Sequence, residues 1–122
     1  MARDRVVVID DDPDFRELLA LWLRDWGLTC VAASSCDEAL PLLERERGRL
    51  RVVLLDYFMP GLSPSVCARE ILDRVDPGVG VVLVSAAVNV AELAAGLGLT
   101  RFLAKPFDVA ELGDIVELRC PS

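Results

Sequence analysis

The chain contains no histidine. That excludes imidazole-activated nucleophiles, histidine metal ligands and any role as a phosphohistidine carrier. Lysine is almost as scarce. Of the 13 basic residues only Lys105 is a lysine, all the others being arginine. One exception to an arginine habit suggests a position that wants a compact ammonium rather than a planar fork. The four cysteines, Cys30, Cys36, Cys67 and Cys120, show no C-x-x-C spacing. They are expected as scattered core thiols in a reducing cytoplasm, with Cys120 open to oxidation in vitro. No apolar run is long enough for a membrane helix. The most apolar stretch, "GVGVVLVSAAV", falls well short of the roughly 20 residues required. Arg3, Asp4 and Arg5 interrupt the N-terminus before any leader-like run, so no signal peptide is visible. There is also no basic cluster. The net charge is −7, and the arginines of "RERGRLR" (Arg45 to Arg51) alternate with an acid and follow Glu44, as on a solvated helix face. Direct nucleic-acid binding is therefore not expected, and neither is a membrane partner.

What the chain does have is apolar residues, 53% of its 122 positions, in a length typical of one domain. A single domain over residues 1–122 is expected, without linker, repeat or low-complexity segment. Strand and helix patterns alternate throughout. The spacing predicts strands at Val6–Ile9, Leu28–Ala33, Val52–Leu55, Val79–Ser85 and Arg101–Ala104. Between them, Asp12-Pro13 reads as an N-cap with proline at N1, opening a helix to about Trp26 with Phe15, Leu18, Leu19, Trp22 and Leu23 on one face. Ser35 with Glu38 suggests a capping box for a helix to about Arg47, bent at Pro41. Ser63-Pro64 opens a helix to about Val75. Asn89 with Glu92, and Asp108 with Glu111, suggest boxes for helices to about Leu97 and Arg119. The strands are apolar continuously rather than alternately. Strands of that kind are buried on both faces, as in a parallel α/β sheet between two helix layers.

"VVVIDDDPDF" poses the chemical question. A buried strand runs straight into three consecutive carboxylates, Asp10, Asp11 and Asp12. Two like charges about 4 Å apart repel by roughly 4 kcal/mol at an effective dielectric near 20. A cation offsets that repulsion. So does solvent at a helix start, which suffices for Asp12 as a cap. In parallel sheets function sits beyond the carboxyl ends of the strands. There this chain places Asp10 and Asp11 after strand 1, Asp56 after strand 3, Ser85 after strand 4 and Lys105 after strand 5. Hard oxygen donors from Asp10, Asp11 and Asp56 suit Mg²⁺. The set suits phosphoryl transfer to a carboxylate, with Asp56 as nucleophile. Lys105, the Ser85 hydroxyl and the metal would neutralise the phosphoryl oxygens.

"VVVIDDDPDFRELL", "VVLLDYFMPG", "VVLVSA" and "FLAKPF" resemble, in order and nearly in spacing, the four signature segments of the bacterial two-component response regulator receiver domain. The resemblance covers the whole chain. It implies a flavodoxin-like (CheY-like) fold: a five-stranded parallel sheet, order 2-1-3-4-5, flanked by five helices. It implies Asp56 as phosphoacceptor and Asp10, Asp11, Asp56 and the Phe58 backbone carbonyl around Mg²⁺. Ser85 and Phe102 correspond to the switch residues and Lys105 to the phosphate-binding lysine, with the Lys105–Pro106 bond often cis. Phe58 and Ala87 correspond to positions that tune dephosphorylation. With no hydrogen-bonding side chain at either, slow self-dephosphorylation is expected. The implied donor is a sensor histidine kinase or phosphotransfer protein, and the implied target an output domain or protein, with a homodimer also within the family's range. Such a domain catalyses only its own phosphorylation and dephosphorylation.

Two departures stand out. Pro64 replaces a common glycine, and Ser85 to Lys105 spans about two residues fewer than usual. Other readings compete. A Mg²⁺-dependent phosphohydrolase of the haloacid-dehalogenase class requires D-x-D-x-[TV], which "DDDPDF" does not supply. A flavodoxin-like FMN binder requires a Ser/Thr/Gly-rich loop after strand 1, where this chain is acidic. An unphosphorylated pseudo-receiver would lack a site residue, and none is missing.

Overall fold

The structure is a computed structural model that describes residues 3–59 and 61–117. Five strands, β1 (Arg5–Ile9), β2 (Thr29–Ala33), β3 (Leu50–Asp56), β4 (Gly80–Ser85) and β5 (Arg101–Ala104), alternate with five helices. These are α1 (Pro13–Asp25), α2 (Cys36–Arg45), α3 (Pro64–Arg74), α4 (Val90–Gly96) and α5 (Val109–Ile115). The strands form one parallel sheet in the order β2-β1-β3-β4-β5, as the resemblance implied.

Continuous apolar strands are explained by two cores, one on each face. Val7, Ile9, Val53, Leu55, Val81 and Leu83 point toward α2, α3 and α4. Val6, Val8, Val52, Leu54, Val82 and Val84 point toward α1 and α5. The period of 2 along each strand sends neighbours to opposite cores, and both must be apolar. Among the described residues no helix is long and apolar enough to cross a membrane.

Local signals set most helix starts. Asp12 caps α1, accepting from the N–H groups of Asp14 and Phe15, with Pro13 at N1. Ser63 caps α3 ahead of Pro64. Asp108 and Glu111 form a reciprocal capping box on α5. Ser35 caps α2 through the Glu38 N–H, but Glu38 reaches back to the N–H of Ser34, one residue beyond a true box. The expected box at α4 is absent. Asn89 has φ −104° and ψ 35° and makes no side-chain cap bond, because its backbone is not extended. The α2 helix runs through Pro41 and ends at Arg45, two residues before the expected Arg47, which opens a short 3₁₀ turn. On α1 the buried side chains are Leu19 and Leu23, while Leu18 is 42% exposed. The expected end of α5 near Arg119 lies outside the described residues.

The cysteine expectation is corrected for one pair. Cys36 at the start of α2 and Cys67 in α3, each 2% exposed, form a disulfide with their Cα atoms 6.0 Å apart. Helices α2 and α3 pack side by side on one face of the sheet, and this non-local contact left no trace in the spacing. Cys30 is a half-buried thiol whose pKa is pushed up to about 11 by burial, so it stays protonated. Cys120 lies outside the described residues.

Arginines at the starts of β3 and β5 tie the sheet to the end of α5 and the residues just after it. Arg101 donates to Ile115 O, and Arg51 to Val116 O and Glu117 O. The Arg101 guanidinium crosses directly over Gly80, where an added Cβ would collide with it.

Candidate functional site

Register brings the site together. Ile9 is level with Leu55 on β3, so the next residues, Asp10 and Asp56, emerge side by side. Asp56 is level with Val84, and Ser85 with Ala104, so Ser85 and Lys105 follow on the same rim. Oxygens of Asp10, Asp11 and Asp56 lie within 4.8 Å of one another. Asp12 is spent on the α1 cap and is not in this cluster.

Asp10 is 2% exposed and fully engaged. Its N–H donates to Ala33 O (3.0 Å), its Oδ1 accepts from the Asp12 N–H (2.9 Å) and its Oδ2 from Lys105 Nζ (2.9 Å). Asp11 is exposed. Asp56 has a side chain only 10% exposed, with Lys105 Nζ 3.9 Å from its Oδ1. Burial, followed by the charge of Asp10, pushes its pKa up to about 6 against the opposing pull of Lys105 and a backbone hydrogen bond at Phe58. A poorly solvated carboxylate that resists ionisation gains from a nearby cation. Three convergent hard oxygens with no nitrogen or sulfur donor fit a hard divalent cation. The bonds on Asp10 do not preclude this, since each carboxylate oxygen accepts more than once.

The remaining candidates fall around this cluster. The Ser85 hydroxyl is fully buried and accepts from the Ala87 N–H at 3.1 Å. Among the described residues its own O–H donates to no partner. Phe102 is 43% exposed. Phe58 is 62% exposed, its ring edge-on to Tyr57 with centroids 4.9 Å apart. The Lys105–Pro106 peptide is cis.

Sequence reading missed two contributors. Lys105 Nζ lies 4.1 Å from the centroid of the Phe15 ring, which itself packs edge-on against Phe107. A cation over an aromatic face is held there electrostatically. Phe15 reads as a core residue in an amphipathic pattern, and nothing local announces the second role. Arg16 donates to Asp10 O. Its place four residues into the helix after the acid run was the only available sign. An apolar cleft of about 400 Å³ is lined by Phe15, Leu18, Trp22 and Phe107 together with Lys105.

Residues 6–117 match the response regulator receiver domain family. The DNA-binding response regulator MtrA of Mycolicibacterium smegmatis is 33% identical over 112 residues, covering 90% of this chain and 47% of that protein. The chain thus spans about half the length of that relative. A response regulator receiver protein from Pseudomonas putida superposes with a TM-score of 0.79 at 30% identity, over 98% of this chain and 99% of the other. The receiver domain of the sensor histidine kinase PA1611 from Pseudomonas aeruginosa PAO1, solved with a magnesium ion coordinated in its active-site cleft, gives 0.80 at 26% identity. That match covers 95% of this chain and 96% of the other.

Proposed function

The chain belongs to the response regulator receiver family, and we propose that Asp56 is its phosphoacceptor, charged by a histidine kinase or phosphotransfer protein with Mg²⁺ bound. It is a signalling module, not a classical enzyme. The observation that carries the assignment is the position of Asp56: nearly buried, beside Asp10 and Asp11, with Lys105 Nζ 3.9 Å from one oxygen.

In the proposed step a carboxylate oxygen of Asp56 attacks the phosphorus of a phosphohistidine. The O–P bond forms as the P–N bond breaks, the electron pair passes to the imidazole, and that ring takes up a proton. Asp10, Asp11, Asp56 and the Phe58 carbonyl would hold the Mg²⁺, which supplies charge neutralisation for the phosphoryl oxygens. Lys105 would turn from Asp10 toward the new phosphoryl group as a point charge. Ser85 would donate its hydroxyl to the same group, leaving the Ala87 N–H. Phe102, on the strand beside Ser85, would repack in response and carry the change to an output domain, a partner protein or a second copy of the chain. Water attack on the acyl phosphate would be slow, since neither Phe58 nor Ala87 has a side-chain group to orient it.

Residues 1–122 would act as one receiver unit, without direct contact to nucleic acid or membrane. We place its action in the cytoplasm. The Cys36–Cys67 disulfide is the observation to set against that, because thiol pools keep most cytosolic cysteines reduced. The phosphohydrolase alternative loses support from the use of Asp12, whose carboxylate caps α1 where a D-x-D nucleophile motif would need it in the site.

The test is incubation with Mg²⁺ and acetyl phosphate. One phosphoryl group should be added by intact mass in the wild type and none in Asp56→Asn. Labelling that survives the substitution overturns the assignment.

A further inference from the structure

Arg16 sits among acids in sequence, with Asp10, Asp11, Asp12, Asp14 and Glu17 close by. Yet among the described residues it forms no ion pair. Its half-buried guanidinium instead donates through Nη1 to the backbone carbonyl of Asp10 at 2.7 Å. That carbonyl needs a partner. The paired registers of β1 with both its neighbours end at Ile9, and past it only the Asp10 N–H still bonds to β2, so among the described residues the Asp10 carbonyl has no backbone partner. The carbonyl also belongs to the peptide joining Asp10 to Asp11, and its direction fixes the plane from which the Asp11 side chain departs.

Arg16 is well placed to hold that plane. Its own N–H bonds to Asp12 O at 3.1 Å, rooting it in the first turn of α1, which the Asp12 cap and Pro13 already define. Every other polar atom of Asp10 is held from a different direction: the N–H by β2, Oδ1 by the Asp12 N–H, and Oδ2 by Lys105. The Arg16 bond completes the set. It is the one of the four that acts on the link to Asp11.

We propose that Arg16 is a positioning residue for the metal site: by clamping the Asp10–Asp11 peptide it keeps the two carboxylates turned toward Asp56. It touches neither the metal nor the reacting atoms. Removing a group that orients metal ligands from behind typically weakens metal affinity by about 10–100-fold.

Charge and positioning predict opposite signs. A guanidinium beside a dication site repels the dication, so by charge alone its removal tightens Mg²⁺ binding. If Arg16 positions the ligands, removal weakens binding. This inference rests on the metal site proposed above. The experiment measures the apparent Kd for Mg²⁺ from the rise in melting temperature across a MgCl₂ titration of wild type, Arg16→Met and Arg16→Lys, with metal-free melting as the fold control. The expected Kd for Arg16→Met is about tenfold weaker. Arg16→Lys keeps the charge and one donor and should fall between the two. With acetyl phosphate the Mg²⁺ concentration for half-maximal rate should rise while the rate at saturating Mg²⁺ holds. If Arg16→Met is too unstable to titrate, weaker binding by Arg16→Lys than by wild type supports the role, and equal or tighter binding overturns it. Equal or tighter binding by Arg16→Met overturns it likewise. A wild type with no Mg²⁺ response fails the metal site itself, which distinguishes the two failures.

Discussion

Lys105 pairs with Asp10 across 95 residues of sequence, its ammonium 2.9 Å from Oδ2, while Asp56 waits at 3.9 Å. The lysine is thus committed to the most buried acid and lies one short movement from the proposed phosphoacceptor. Removing it by Lys105→Met leaves Asp10 buried without its counter-charge. Metal-free stability should fall by about 2 kcal/mol, less than for a fully buried pair because Lys105 is partly exposed. Saturating Mg²⁺ should recover most of the loss, and urea denaturation with EDTA or MgCl₂ measures both. Lys105→Arg should fold and phosphorylate more slowly, since a planar fork cannot stand in for a compact ammonium. A variant with wild-type stability and rate would make the lone lysine incidental.

The raised pKa of Asp56, about 6, gives metal-free protein a definite pH response. Here the folded state binds the proton more tightly than the unfolded state does. The associated stability is fully present below the unfolded value of 3.8 and is lost as pH rises through about 6. Metal-free protein should therefore become more stable as pH is lowered from 7.5 toward 5. Histidine is absent, so no imidazole contributes in that window. Thermal melts in EDTA should show the gain in wild type and lose it in Asp56→Asn. A gain of equal size in both would assign it to another group.

Closing a disulfide between residues 31 apart in sequence should stabilise the fold by about 3–4 kcal/mol through restriction of the unfolded chain. Reductant should lower the melting temperature of wild type and leave Cys36→Ala/Cys67→Ala unmoved. Alkylation under denaturing, non-reducing conditions provides the direct check. Modification of Cys36 and Cys67 without prior reduction would show that the bond does not form in solution.

The lifetime of phospho-Asp56 should respond to polar groups at the two neighbouring positions. Phe58→Asn and Ala87→Glu each introduce a side chain able to hold a water in line with the acyl phosphate. Decay after donor removal should be faster in both. If neither accelerates it, the lack of a water-orienting side chain at these two positions does not set the lifetime.

Sequence by itself determined whatever rests on local periodicity and local hydrogen bonds. Unbroken valine and leucine runs specify strands buried on both faces, and the caps at Asp12, Ser35, Ser63 and Asp108 need only the next turn of their own helix. The carboxylates at strand ends were legible for the same reason: once a strand is located, its last residue is too. Tertiary structure alone decided which groups meet. The pairing of Cys36 with Cys67 depends on two helices lying side by side. The Phe15 ring under Lys105, and the Arg16 bond to the Asp10 carbonyl, depend on where the first turn of α1 lies relative to Asp10 and Lys105. Asp12 left the acid cluster because its backbone entered the helix cap, whereas Asp11, one residue earlier, remained in it. Three identical side chains in a row carry the same chemistry in sequence, and only the direction of the backbone at each one separates a ligand from a cap.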